Sequence, residues 1–181
     1  MDRIEELCSA AQNGDLEAAS ELVANLYERI FAYLRRRCLS NEDAADLTQK
    51  TFSKVWASLP AYRGHSHFAT WVHSIAHHVY VDSRRAKQLP TEPENWWTDQ
   101  PDQAPGPFEA VAQREQAEQL YALVARLDED ERDAVHLHYY QGLTLDQTAE
   151  VLSVAVSTVK YRLRRALDFL RRHVPDSVRI R

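Results

Sequence analysis

The sequence predicts an all-α protein in which two small helical domains are joined by a flexible, acidic, proline-rich linker. Apolar residues recur at the spacing of amphipathic helices on both sides of the linker, and no segment alternates as a strand does. Five of the seven prolines lie between Leu89 and Phe108. A short helix, a tight turn and a strongly basic helix near the C-terminus predict a helix-turn-helix. We therefore divide the chain into residues 1–88, a linker at 89–113, and residues 114–181.

The N-terminal domain is predicted to contain three amphipathic helices. The first follows an Asn13–Gly14 break, the second ends at Pro60, and the third runs into a basic segment. Their apolar faces consist of Leu16, Ala19, Val23, Leu26, Ile30 and Leu34 in the first, Leu47, Phe52, Val55, Trp56 and Leu59 in the second, and Trp71, Ile75, Val79 and Tyr80 in the third.

The linker, residues 89–113, contains five acidic residues and no lysine or arginine. Its prolines prevent a continuous helix, and its like charges favour an extended chain. The Trp96-Trp97 pair within it has two interpretations. It is either an aromatic anchor against one of the domains or a contact with a partner protein.

The C-terminal domain is predicted to begin with two helices and to end with the helix-turn-helix. The first two are indicated by Leu120, Leu123, Val124 and Leu127, and by Ala134, Val135, Leu137 and Tyr139 before Gly142. In the helix-turn-helix, Thr144 and Gln147 have capping-box spacing, and Ser153 lies in the turn. The last helix combines one apolar stripe with a basic face that consists of Lys160, Arg162, Arg164, Arg165, Arg171 and Arg172.

The charge of the chain is polarised along its length. The formal net charge is −5, but residues 114–150 hold 3 basic and 9 acidic side chains, whereas residues 151–181 hold 8 basic and 2 acidic ones. A binding partner responds to the electrostatic field near each segment and not to the net charge of the whole chain. The basic C-terminal helix therefore indicates DNA binding, with a solvated surface helix as the alternative.

Several function classes are disfavoured by the sequence. No apolar run is long enough to span a bilayer and Met1–Leu7 lacks the layout of a signal peptide, so we expect a cytoplasmic protein without membrane insertion. Cys8 and Cys38 have no close cysteine neighbour, which predicts two reduced thiols. No nucleophile with a base, glycine-rich phosphate loop or carboxylate pair is present, so we predict neither an enzyme nor a cofactor.

The segment Tyr62–Trp71 is polar and aromatic, contains one glycine, and lies between two predicted helices. Such a loop can hold unstacked bases against its rings, although an ordinary exposed loop is the alternative. Five histidines fall within Gly64–Val79, with His73 and His77 four residues apart. They raise a metal site or a helical hydrolase as minor alternatives, but no cysteine or carboxylate completes a ligand set nearby.

Taken in order, these segments resemble the extracytoplasmic-function (ECF) sigma factors of the sigma-70 family. Asn41–Trp56 is similar to the helix by which that family binds core RNA polymerase, Tyr62–Trp71 to its base-capture loop, and Ile75–Arg85 to its −10 helix. The blocks Leu127–Leu143 and Thr158–Arg162 resemble its −35-reading domain. The resemblance covers roughly residues 16–88 and 114–173.

The resemblance implies a promoter-specificity subunit that binds core polymerase and promoter DNA, with an anti-sigma factor as a further partner. The residues implied to bind core polymerase are Asp43, Asp46, Leu47, Gln49, Phe52 and Trp56. Those implied to contact the −10 element are Tyr62, His65, Ser66, His67, His77, His78, Arg84 and Arg85. Those implied to contact the −35 element are Ser157, Thr158, Lys160, Tyr161, Arg162 and Arg165. A free-standing helix-turn-helix regulator that does not bind polymerase is the alternative.

This chain departs from the family pattern at several positions. Ala45 and Lys50 replace common glutamates, which predicts either weaker and more salt-sensitive polymerase docking or compensation by the packing of Phe52 and Trp56. Phosphorylation of Thr48 or Thr51, which would restore negative charge, is a further hypothesis. His65, His67 and His78 are also unusual, so the preferred −10 bases do not carry over.

In the recognition helix, Arg162 or Arg165 is our choice for reading a base, since arginine to guanine is the commonest bidentate contact. Lys160, Arg171 and Arg172 are expected to contact phosphates or solvent.

Overall fold

The computed structural model describes residues 3–38, 40–87 and 119–174. Their regular secondary structure is entirely helical, with no strand among these residues, and they form two helical domains. The predicted linker at 89–113, including Trp96-Trp97, lies outside the described residues. No helix in the described ranges is long and apolar enough to cross a membrane.

The N-terminal domain contains four helices, one more than the hydrophobic pattern predicted. They are α1 (Arg3–Gln12), α2 (Leu16–Arg35), α3 (Asn41–Ser58), which is followed by a 3-10 turn (Leu59–Ala61), and α4 (Phe68–Lys87). The predicted break between the first two is confirmed. Gly14 has φ +92°, and Asp15 caps α2 by accepting hydrogen bonds from the backbone N–H groups of Glu17 and Ala18.

Part of each predicted apolar stripe lies in the core of this domain. Leu26, Ile30 and Leu34 of α2 are 0% exposed and pack in one cluster with residues of α3 and α4, together with Leu22, which the stripe did not include. The predicted residues Ala19 and Val23 are half-buried. Leu16 is instead 81% exposed, because it is the first residue of α2 and lies beyond the helices that cover the stripe. Cys8 and Cys38 are both buried.

The C-terminal domain contains a helix whose described part is residues 119–125 (α5), then α6 (Glu129–Val135), α7 (Leu145–Leu152) and α8 (Val156–His173). The predicted helix through Tyr139 is interrupted, because α6 changes into a π-helical turn at His136–Tyr140. A smaller core cluster holds α5, α6, α7 and α8 together.

The helix-turn-helix is formed by α7 and α8. The predicted capping box is confirmed, with the Gln147 N–H donating to Thr144 Oγ1 and the Thr144 N–H donating to Gln147 Oε1. Ser153 ends α7 in the left-handed conformation at φ 55°, where a side chain is disfavoured.

The two domains pack directly against each other. Leu137, Leu143 and Val151 of the C-terminal domain belong to the same buried cluster as the N-terminal core. At the centre of this contact, the buried Arg37 guanidinium of the N-terminal domain forms an ion pair with Asp133 of α6.

Candidate nucleic-acid interface

Helix α8 buries one face and exposes a basic one. Val159, Leu163 and Ala166 are at most 6% exposed and pack in the C-terminal core. Because these residues recur at intervals of three and four, the predicted −35 residues Ser157, Lys160 and Tyr161 fall on the exposed side. The basic surface is therefore a direct consequence of helical periodicity.

The two arginines chosen for base reading are held by acidic residues at the start of α6. Arg162 is 17% exposed in its side chain and donates to Asp130 Oδ2 at 2.5 Å. Arg165, which is 53% exposed, lies 3.0 Å from Glu131 Oε1 and 3.7 Å from Asp128 Oδ2. The sequence did not indicate these pairs, since the partners are about thirty positions apart.

The start of α8 leaves backbone donors without a side-chain cap. Ala155 occupies the N-cap position and has no side chain that could accept from the first turn. Ser157 is exposed there and Thr158 is half-buried. A helix N-terminus of this kind favours a phosphate group.

The predicted base-capture loop is partly fixed by helix α1, which the sequence analysis missed. Gln12 Nε2 donates to the carbonyl oxygens of Leu59 and Tyr62, at 2.9 Å each. The Tyr62 hydroxyl donates to the Ser66 carbonyl at 2.5 Å, and its ring packs 4.9 Å from that of Trp71. His65 and His67 are exposed, whereas Ser66 is half-buried.

The histidines of α4 lie in different environments. His78 is exposed, but His77 lies at the domain contact, where its Nδ1 accepts from the Tyr33 hydroxyl at 3.2 Å and lies 3.4 Å from Arg37 Nη1. Burial and the Arg37 charge lower the pKa of His77 to about 3. Packing occupies the ring of His77 in this conformation, and its predicted −10 contact stays a prediction.

His73 also belongs to the domain contact. Its Nδ1 donates to the Ala69 carbonyl at 2.7 Å, and its Nε2 faces Gln141 Oε1 of the C-terminal domain at 3.4 Å. Burial lowers its pKa. Across residues 3–38, 40–87 and 119–174, no three His, Cys, Asp or Glu side chains are grouped so that they could hold a metal ion.

The basic end of α4 contributes one arginine to the domain contact. Arg84 forms an ion pair with Glu129, the first residue of α6, whereas Arg85 is exposed. Arg84 is 26% exposed and Glu129 is 40% exposed, so solvent reaches both partners.

The predicted polymerase-binding face of α3 is reduced by burial. Asp46 and Gln49 are exposed, and Trp56 is half-buried; Asp46 forms a 2.6 Å ion pair with Lys50. Leu47 and Phe52 are 5% and 8% exposed and belong to the core, so little of either side chain is accessible here, and their predicted contact with polymerase stays a prediction. They alternate with the exposed positions and face α2 and α4.

Burial and hydrogen bonding affect two further predictions for α3. Asp43 is half-buried and accepts from the Ser40 hydroxyl at 2.9 Å, so it also serves the start of the helix. Thr48 and Thr51 are 0% exposed, and their hydroxyls donate to the carbonyls of Ala44 and Leu47 at 2.7 Å. A kinase cannot reach either hydroxyl in the folded chain, so the phosphorylation hypothesis is wrong for this state.

Comparison with known proteins identifies the family. The family model for Sigma-70 region 2 matches residues 22–89, and that for Sigma-70, region 4 matches residues 117–170. RNA polymerase sigma factor YlaC of Bacillus subtilis is 30% identical over 169 residues, covering 89% of this chain and 94% of that protein. The chain belongs to the sigma-70 family of RNA polymerase sigma factors.

Its relatives place this sigma factor in the ECF group. The ECF RNA polymerase sigma factor SigX of Bacillus subtilis is 29% identical, covering 88% of this chain and 85% of that protein. The fold matches CnrH in its complex with the cytosolic domain of CnrY, at a TM-score of 0.70 and 21% identity over 94% of this chain and 96% of that one. It also matches RpoE bound to the anti-sigma factor NepR from Bartonella quintana, at a TM-score of 0.68 and 18% identity over 84% and 94%.

The matched regions divide the candidate residues of this sigma factor by domain. All the residues predicted for polymerase docking and for the −10 element lie in the region 2 match, and all those predicted for the −35 element lie in the region 4 match.

Proposed function

We propose that this sigma factor directs transcription initiation as a non-catalytic, cytoplasmic subunit that binds core RNA polymerase and recognises two promoter elements. The observation behind the proposal is the order of the two family regions along one chain. The region 2 match holds an exposed acidic helix face and an aromatic loop, and the region 4 match holds a helix-turn-helix with a basic outer face.

In this proposal, α3 docks on core polymerase through Asp43, Asp46, Gln49 and Trp56. Only two of these are acidic, and Lys50 pairs with Asp46, so docking should weaken as salt screens the charges. Charged residues at the rim of an interface mainly govern the association rate and its salt dependence.

The loop at 62–67 and α4 would bind the −10 strand. His65, His67 and His78 are exposed and can donate to bases or phosphates, and the Tyr62 ring offers a stacking surface. Arg84 and Arg85 would contact the backbone. Ser66 is half-buried and holds the Tyr62 hydroxyl through its carbonyl, so it supports the loop.

Helix α8 would enter the major groove at −35. Ser157, Thr158 and the uncapped backbone at the start of the helix would contact phosphate, with Lys160 and Tyr161 beside them. Arg162 or Arg165 would read a base after exchanging its carboxylate partner for DNA. Because both domains are tied to polymerase, two modest affinities combine into one specific complex.

The first experiment is gel filtration of the purified chain with core polymerase, followed by transcription from a library of randomised promoters. We expect co-elution and enrichment of two separated sequence elements. Binding of duplex DNA without any co-elution would instead support a free-standing helix-turn-helix regulator. An anti-sigma factor that is added to the same transcription assay should inhibit it.

The docking residues are tested by titrating core polymerase with the double variant Asp43→Ala, Asp46→Ala. We expect binding to weaken by about tenfold, which corresponds to roughly 1.4 kcal/mol. Glu28→Ala, an exposed acid on α2, is the matched control. Unchanged affinity of a folded double variant would refute the assignment of α3.

A further inference from the structure

Among the arginines of α8, Arg165 is paired with a buried carboxylate, that of Glu131 on α6. Glu131 lies in the first turn of α6, and its side chain is 8% exposed. Its Oε1 atom lies 3.0 Å from Arg165 Nε, although the Arg165 side chain itself is 53% exposed. Burial raises the pKa of Glu131, and the Arg165 charge opposes that shift. A buried carboxylate needs a charged partner, and Arg165 provides it.

The other arginines near Glu131 make different contacts. Glu131 and Arg165 line a polar pocket of about 300 Å³, and so do the arginines at positions 126 and 172. The Arg126 guanidinium lies over the Phe169 ring, 5.8 Å from its centre. Arg172 Nε donates to a backbone carbonyl oxygen of α8 at 3.0 Å. Within the described part of the chain, Arg165 is therefore the arginine of this pocket that pairs with Glu131.

A second contact constrains the plane of the Arg165 guanidinium. Its Cζ atom lies over the Tyr161 ring, 5.9 Å from the ring centre, which is within the range of a cation–π contact. Tyr161 lies one helical turn before Arg165 and is 59% exposed. Glu131 therefore holds the guanidinium at its Nε edge, and Tyr161 lies against one of its faces. The edge formed by Nη1 and Nη2 is the part that a ligand can approach.

The carboxylate at that Nη edge is suited to exchange. Asp128 Oδ2 lies 3.7 Å from Arg165 Nη2, and the Asp128 side chain is 74% exposed. An exposed ion pair of this kind is weak. In the major groove, guanine offers two acceptors, N7 and O6, to a pair of guanidinium N–H groups. DNA can therefore replace Asp128 at the Nη edge while Glu131 keeps its contact with Nε.

Arg162 does not combine a held edge with a free edge in this way. Its Nη2 atom donates to Asp130 Oδ2 at 2.5 Å, so a carboxylate occupies the edge that a guanine would need. Its side chain is 17% exposed, against 53% for Arg165. Arginine loses rotamer freedom when it forms a bidentate contact, and an arginine whose guanidinium is already held loses less. The geometry therefore favours Arg165 over Arg162 as the base reader.

We propose that Glu131 is a positioning residue for −35 recognition, which holds the Arg165 guanidinium by its Nε edge so that the Nη edge reads a guanine. Tyr161 supports the same orientation from the face of the guanidinium. The inference rests on the proposed function, because it concerns the helix that would enter the major groove. Glu131 itself does not touch DNA and acts through Arg165. Removing its charge should therefore change base preference more than overall affinity.

Promoter binding by the holoenzyme, measured on single −35 substitutions of the promoter selected from the randomised library, tests this role. In Glu131→Gln we expect discrimination at one −35 position to fall about fivefold, while affinity for the selected promoter changes less than about threefold. Arg165→Ala should relax the same position by about tenfold or more. The matched control is Asp128→Asn, which removes the same charge from the exposed partner of Arg165. It should raise affinity evenly across the substitutions and leave discrimination unchanged.

A double-mutant cycle separates positioning from a structural role. In the Arg165→Ala background, Glu131→Gln should cause no further loss of discrimination, because the residue through which Glu131 acts is absent. Circular dichroism and thermal unfolding check the fold of each variant. If Glu131→Gln does not fold, Glu131→Leu replaces it, because an apolar side chain removes the buried charge together with its desolvation cost. For Glu131→Leu we expect the same relaxed −35 position.

Unchanged discrimination in a folded Glu131 variant would overturn the inference, as would an even loss across all −35 substitutions. Relaxation of one position by Arg162→Ala, with an even loss for Arg165→Ala, would overturn it as well. None of these results affects the proposed function, which co-elution of the wild type with core polymerase decides. If the chain never binds core polymerase, the proposed function fails, and the same substitutions in duplex DNA with the isolated chain then measure the effect of Glu131 on discrimination.

Discussion

Helices α8 and α4 were both predicted to bind DNA, but they differ in what surrounds them. Helix α8 presents its basic face to solvent, and Asp130 and Asp128, which pair with two of its arginines, are 70% and 74% exposed. Helix α4 has two of its histidines, His73 and His77, in a buried contact with the other domain. The exposure of the basic residues of α8 follows from the period of the helix itself. The exposure of a histidine on α4 depends instead on which residues of the other domain pack against it.

The largest expected effect concerns the buried ion pair between Arg37 and Asp133, which lies beside His77 of α4. Asp133→Ala leaves the Arg37 charge buried and uncompensated, so we expect a loss of about 3–5 kcal/mol in the free energy of unfolding. The matched variant on the α8 side, Asp130→Ala, breaks an exposed pair and should lose less than about 1 kcal/mol. Urea denaturation of the two variants measures both losses in the free energy of unfolding, and equal losses would contradict this prediction.

The second effect concerns the choice of base-reading arginine. Arg162→Ala or Arg165→Ala should weaken promoter binding in the polymerase complex by roughly 1–3 kcal/mol and relax one −35 position. Arg172→Ala, an exposed arginine in the last turn of α8, is the control and should reduce binding evenly across −35 variants. An even loss for Arg162 or Arg165 would reassign that residue to a phosphate contact.

The third effect is a dependence of stability on pH that comes from α4. The pKa of His77 is about 3 when folded and about 6.5 when unfolded, so below pH 6.5 the unfolded chain binds the extra proton. The His77 contribution is complete above pH 6.5 and is lost as pH falls toward 3. Between pH 7.5 and 5.5 we expect His77 alone to account for about 1.4 kcal/mol.

Measuring the free energy of unfolding at both pH values in wild type and His77→Gln tests this. The variant should lose part of the slope, and the remainder should come from His73 and His136, whose pKa values burial also lowers. An unaltered slope in His77→Gln would place that ring in solvent.

The smallest effect lies in the turn before α8. Ser153 has φ 55°, a conformation that glycine adopts without steric cost. Ser153→Gly should therefore stabilise the chain by about 0.5 kcal/mol in thermal unfolding, with DNA recognition unchanged. Ser157→Gly, within α8, should instead destabilise by about 0.5–1 kcal/mol.

Local patterns predicted most of the secondary structure. Helices α2, α3, α4, α7 and α8 follow from apolar spacing and from caps such as Thr144 with Gln147. Helix α1 was missed because its residues form no long apolar stripe, although Gln12 fixes the base-capture loop. The helix predicted to end at Gly142 does end there, but its last part, His136–Tyr140, is π-helical, and a π-helical turn has no signal in the hydrophobic pattern.

The sequence by itself determined the helical fold, the exposed basic face of α8 and the family, because each depends on residues close in sequence or on motifs in a fixed order. Only the tertiary structure decided that His77 lies at the contact between the domains, and that Arg37 meets Asp133. Those two residues are 96 positions apart, and no local pattern encodes a contact between side chains at such a separation. Their pairing depends on how the two domains pack, which is a property of the whole molecule.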